Sequence, residues 1–171
     1  MVALLRMPSG RARWVVFGAL GVLLAGVLTW ALWPDPEPRQ REYLDAMACL
    51  LTDERGIAGD EAKPVWAAMQ EASVSSLVKV QFLEVMGPQT ADNARTYVAS
   101  LAGSRCGAVI AVGKPQIDAV TAAAKTYPNV RFVTVGGGAA AANVTVVDDA
   151  DAGVLRAEII KQVTALVPAD S

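Results

Sequence analysis

Residues 108–135 read AVIAVGKPQIDAVTAAAKTYPNVRFVTV, and this stretch decides the fold. Two short apolar runs, Ala108–Val112 and Val130–Val135, flank a helical stretch at Pro115–Thr126. Runs such as AVIAV and FVTV are continuous rather than alternating, as burial on both faces of a parallel sheet requires. Pro115 suits the first turn of a helix, and Tyr127-Pro128-Asn129 stops it.

The same alternation extends in both directions. Strands are predicted at Ala46–Thr52 and Val78–Val85 upstream and at Val144–Val147 downstream. Helices are predicted at Ala62–Ala72 and Thr90–Ala102, with a last one from about Asp151 to Val167. Thr90 precedes a helix start with Asp92 in its first turn, Gly103 ends that helix, and Asp149 or Asp151 can cap the last one. Strand–helix alternation with short links implies right-handed crossovers. The expected domain, residues 43–168, is therefore α/β: a doubly wound, mostly parallel five-stranded sheet with helices on both faces. Its expected order is 2-1-3-4-5, with the first and third strands adjacent at the centre.

A different pattern precedes it. Trp14–Trp33, WVVFGALGVLLAGVLTWALW, holds no charged residue and one polar one, Thr29. Twenty helical residues reach about 30 Å, the thickness of a bilayer's hydrocarbon core. Trp14, Trp30 and Trp33 stand at its ends, where interfacial rings are favoured. Arg6, Arg11 and Arg13 precede it, while Asp35 and Glu37 follow. The positive-inside rule then makes residues 1–13 cytoplasmic and the span 14–33 a single-pass plasma-membrane helix, with everything after it outside. A cleaved signal peptide would have a shorter apolar region, and the best small-x-small site, Thr29-Trp30-Ala31, is poor. No cysteine directly follows the span, as lipoprotein cleavage would need. We read an uncleaved signal anchor. Residues 34–42 form a linker, and the alternate prolines of PDPEPRQR favour a semi-rigid stalk of about 20–25 Å.

Charge and composition exclude several functions. Beyond the span, twelve Lys and Arg face seventeen Asp and Glu, a net of −5, which disfavours nucleic-acid binding. The chain has no His, which removes imidazole metal sites and His-based catalysis. It contains no GxGxxG, GxxxxGK[ST] or GxSxG motif, so no cofactor is expected and the chain is not read as an enzyme. Two cysteines without His make a metal site improbable.

Cys49 lies inside the first strand and Cys106 just before the third. If those strands are parallel neighbours, both thiols sit towards one sheet edge, and an oxidising exterior would permit a disulfide between them. The alternative is a buried apolar Cys49 and an unrelated loop thiol at Cys106. Strand register decides between them, and the sequence does not supply it.

In such a sheet, ligands bind beyond the carboxyl ends of the strands. That edge comprises Asp53–Asp60, Val85–Gln89, Gly113–Lys114 and Gly136–Gly138. The candidate ligand-binding residues are Asp53, Glu54, Arg55, Asp60, Gly113, Lys114, Gly136 and Gly137. Gly113 permits close approach, and Lys114 supplies a cation. Gly136-Gly137-Gly138 is followed by AAAA and reads more readily as a turn than as a phosphate cradle. Asp53-Glu54 is like the acidic pair of a phospho-accepting receiver, but the third strand ends Val112-Gly113-Lys114 without the Asp a receiver needs. Asp148, Asp149 and Asp151 read as helix-capping residues rather than a cation site.

Several segments carry a family resemblance. ACLLTDERGIAGDEAKPVWAAMQEA, AVIAVGKPQIDAVTAAAKTYPNVRFVTVGG and NVTVVDDADAGVLRAEII resemble the N-terminal lobe of the basic membrane protein (BMP) family. These are nucleoside-binding, periplasmic-binding-protein-like substrate-binding proteins of ABC transporters. The resemblance implies an extracytoplasmic binding module with a nucleoside-like small-molecule ligand, working with an ABC permease, a second lobe or a homodimeric partner. The chain departs from the family in several places. Ala58–Lys63 keeps Asp60 but lacks the family's ligand-contacting Phe and Asn, and Gly136 stands where an Asp is usual. A lipidated Cys is absent, and a single lobe is expected where the family has two. These departures support an alternative: a degenerate interaction or structural domain that acts through a protein partner.

Overall fold

A computed structural model describes residues 10–31 and 42–168. Residues 1–13, expected to be cytoplasmic, lie largely outside the described residues, as do Leu32, Trp33 and all of the expected linker except Glu42. The chain divides into two compact units, residues 1–40 and 41–171.

The first unit contains helix α1, Gly10–Ala31. Its described side chains are Phe17 and those of residues 20–30, and the apolar ones among them, such as Leu20, Leu23, Leu24, Val27 and Leu28, are exposed. Thr29 Oγ1 donates to the carbonyl of Ala25 at 2.7 Å, which satisfies its hydroxyl within the helix. Among the described residues, no helix is long and apolar enough to cross a membrane.

The second unit holds strands β1 (Met47–Thr52), β2 (Lys79–Glu84), β3 (Ala108–Val112), β4 (Arg131–Val135) and β5 (Val144–Val147). Its helices are α2 (Ala62–Ser76), α3 (Ala91–Gly103), α4 (Lys114–Ala123) and α5 (Ala152–Thr164). The sheet order is β2-β1-β3-β4-β5, and every strand pairing is parallel. The expected order stands, and "mostly parallel" becomes fully parallel.

Alternate residues of β1 point to opposite sides. Ala48 and Leu50 join Val65 and Met69 of α2 and Leu155 and Ile159 of α5 in one apolar cluster. Cys49 and Leu51 join Val98 of α3 and Val120 of α4 in the other, with Phe132 of β4. Strands buried on both faces cannot alternate apolar with polar, so the runs read as continuous.

Element ends differ from the sequence reading for local reasons. Helix α2 continues to Ser76 and stops at Leu77, which adopts a left-handed conformation (φ 60°) and donates its N–H to Ser73. A non-glycine cap of this kind carries no sequence signal. Thr90 caps α3 by accepting from the N–H of Asn93, and Asp151 caps α5 by accepting from Gly153 and Val154. The 3-10 turn Gly56–Ala58 was not foreseen.

Cys49 and Cys106 form a disulfide with Cα atoms 5.9 Å apart. Gln81, the β2 residue opposite Cys49, donates its side-chain N–H to Cys49 Sγ at 3.2 Å. The link spans a sequence separation of 57, for which the chain-entropy account gives about 4 kcal/mol.

Strands β4 and β5 are joined without a helix by residues 136–143, a short link for a parallel pair. Asn143 secures its far end, donating from Nδ2 to the carbonyls of Ala124, Tyr127 and Val130 at 3.0–3.1 Å. Thr134 Oγ1 holds the near end through the carbonyl of Gly137 at 2.7 Å.

Candidate functional site

The central strands β1 and β3 are followed by helices on opposite faces, α2 and α4, so the chain splits apart at their carboxyl ends. An open cleft of about 530 Å³ lies at this edge, within the range of small-molecule sites. Asp60, Glu61 and Pro64 line one side, and Gly113, Lys114, Ile117 and Asp118 another. Val135–Gly138, Asp149 and Leu155 complete it, together with Val112.

Backbone geometry explains the two key glycines. Gly113 caps α4 at φ 94°, a conformation that L side chains rarely adopt. A Cβ there would stand 2.8 Å from Gln116 Oε1. Gly136 has φ 76°, and its Cβ would stand 2.6 Å from Asp149 Oδ2. Gly136 therefore faces a carboxylate.

Gln116 sits fully buried in the first turn of α4. Its Nε2 donates to the carbonyl of Thr52 at 3.3 Å and to Gln89 Oε1 at 3.0 Å. Gln89 in turn donates to the carbonyl of Val85 at 2.7 Å. One side chain thus ties the end of β1, the loop before α3 and the start of α4 together. Gln116 Oε1 has no hydrogen-bond partner among the described residues. A buried unpaired acceptor costs about 1–3 kcal/mol, so it is a feature to be explained.

The sequence-predicted residues separate into groups. Asp60, Gly113, Lys114, Gly136 and Gly137 all line the cleft. Asp53 and Arg55 line a neighbouring cavity of about 10 Å³, the space of one water. They are engaged with each other: Asp53 accepts from the Arg55 backbone N–H at 3.0 Å and from its Nε at 3.1 Å. The hydrogen bond and charge of Asp53 raise the Arg55 pKa above its ordinary value. Glu54 is exposed and lines neither cavity.

Sequence reasoning missed Glu61, Ile117, Asp118, Asp149 and the supporting Gln116. Of the three acidic residues before α5, Asp151 caps the helix and Asp148 accepts from the N–H of Ala150 at 2.8 Å. Asp149 does neither and faces Gly136. Lys114 Nζ pairs with Asp118 at 2.8 Å, one turn along its own helix. Asp60, Glu61, Asp118 and Asp149 against Lys114 leave the cleft formally at −3. Among the described residues, no group of three or more acidic, His or Cys side chains could hold a metal ion.

No family model and no curated protein matches this chain. Solved structures do. A fragment from Peptoclostridium difficile 630, provisionally named a lipoprotein, superposes with TM-score 0.58 at 17% identity over 69% of this chain and 98% of its own. A transcriptional activator of the comK gene from Bacillus halodurans gives TM-score 0.50 at 17% identity, over 59% of this chain and 34% of its own. The likeness is one of fold. ABC transporter solute-binding proteins also occur among the matches, for example the 5-methylthioribose transporter protein from Thermotoga lettingae TMO. It aligns at TM-score 0.49 and 17% identity over 62% of this chain and 33% of its own. This chain spans nearly the whole length of the first of these structures and about a third of the other two.

Proposed function

We propose that this chain is a small-molecule-binding module of the solute-binding type, held outside the plasma membrane by residues 14–33. The cleft carries this reading. It lies at the switch point of a doubly wound sheet, where this architecture binds ligands, and three positive-φ glycines, Gly113, Gly136 and Gly138, line it. A nucleoside-like ligand rests only on the sequence resemblance to the BMP family. A second lobe, from another copy or a partner such as an ABC permease, would bury a ligand that this open cleft leaves exposed.

The outer location draws on the charge-free stretch Trp14–Trp33, on the arginines before it and on the exposed apolar side chains of α1. The Cys49–Cys106 disulfide agrees, since such bonds persist in oxidising compartments.

A second reading is an interaction domain that uses the same edge as a partner surface. Its support is the lack of Phe and Asn in Ala58–Lys63. Thermal-shift screening of the full chain in detergent against a metabolite library separates the two. A saturable upward shift with at least one small molecule is expected. No shift with any of them would leave the interaction reading in its place.

A further inference from the structure

Building on the binding reading, we infer that the cleft takes a small molecule bearing protonated amines on an apolar body. The polar side chains around it are almost entirely acceptors. Asp60, Glu61 and Asp149 line it, and Lys114, its one cation among the described residues, is already paired with Asp118 at 2.8 Å. Asp60 is paired with Arg55 at 3.5 Å, which leaves Glu61 and Asp149 as the carboxylates open to a ligand. Removing an anion from water into such a field costs free energy, whereas an ammonium group gains charge-assisted hydrogen bonds. Beside Gly136, the carboxylate of Asp149 would repel an anion.

A second observation points the same way. Gln116 Oε1, which stands against Gly113 just behind the cleft lining, is fully buried and has no partner among the described residues. It too is an acceptor without a donor.

The apolar part of the lining narrows the class further. It consists of aliphatic side chains such as Ile117 and Leu155, with no Trp, Tyr or Phe. A quaternary ammonium group is recognised through aromatic faces, and a nucleobase gains from stacking on them. Neither finds its partner here. A chain of methylenes carrying primary amines finds both an aliphatic wall and carboxylates.

Titration calorimetry on the full chain in detergent, at neutral pH and low salt, tests this with three probe classes: 1,4-diaminobutane, uridine and inorganic phosphate. Saturable binding of the diamine is expected, with phosphate silent and uridine weaker. Asp149→Asn and Glu61→Gln should each weaken the diamine about tenfold, as loss of one charge-assisted contact implies. Both residues are exposed, so an unchanged melting temperature will show that the variants remain folded. Binding of uridine or phosphate with the diamine silent would overturn the amine assignment and leave the binding module standing. Diamine binding indifferent to both substitutions would overturn it equally. Silence from all three probes, together with a blank metabolite screen, would remove the binding module itself.

Discussion

The backbone of Gly136 lies against the carboxylate of Asp149, so close that a Cβ would meet Oδ2 at 2.6 Å. The contact joins the end of β4 to the loop before α5 and sets one wall of the cleft. Gly136→Ala must adopt φ near 76° with a Cβ and also displace that carboxylate. The side chain of Asp149 can swing away, but the backbone cost of about 1–2 kcal/mol remains. Urea denaturation should show a loss of that size, whereas Gly137→Ala, with no positive φ and nothing nearer than 3.9 Å, should be close to neutral.

Gln116 gives a second, independent expectation. Gln116→Met keeps the volume but leaves the Oε1 of Gln89 without its donor, while the carbonyl of Thr52 keeps the N–H of Val85 at 3.0 Å. A loss of about 1 kcal/mol is expected from the two lost hydrogen bonds and the one acceptor left unpaired, partly offset by removing the orphaned Oε1. An equally stable variant would mean that water satisfies these groups.

The disulfide is a covalent constraint on the α/β domain. Cys106→Ser should lower the unfolding free energy by about 2–5 kcal/mol, read from the urea midpoint. A change below about 0.5 kcal/mol, within the range of ordinary surface substitutions, would show that the bond does not form in the folded protein.

Much of this molecule was legible because its strands are buried on both faces. Ala108–Val112 and Val144–Val147 were read to the residue, and the glycines after β3 and β4 marked the edge where the cleft lies. Features that depend on distant partners were not legible. Gln116 looks like a surface residue in the sequence, and only the carbonyl of Thr52 and the amide of Gln89 explain its burial. Asp149 sits between two acidic residues that do cap backbone N–H groups, and sequence alone does not separate the three. Asp53 and Arg55, with only one residue between them, pair with each other beside the cleft rather than in its lining, and that pairing has no sequence signal of its own.

The membrane orientation is tested by fusions at Ser171. Alkaline phosphatase fused there should be active and a green fluorescent protein dark, as an exported C-terminus requires. The reverse pattern would place the domain in the cytoplasm.

Binding at the strand-end cleft is tested most directly by amide spectra of the nitrogen-15-labelled full chain in detergent micelles, titrated with small molecules. Saturable shifts concentrated at Gly113, Lys114, Gly136 and Gly137 are expected. Saturable shifts confined to other parts of the domain, or none with any ligand, would contradict a binding site at the ends of β3 and β4.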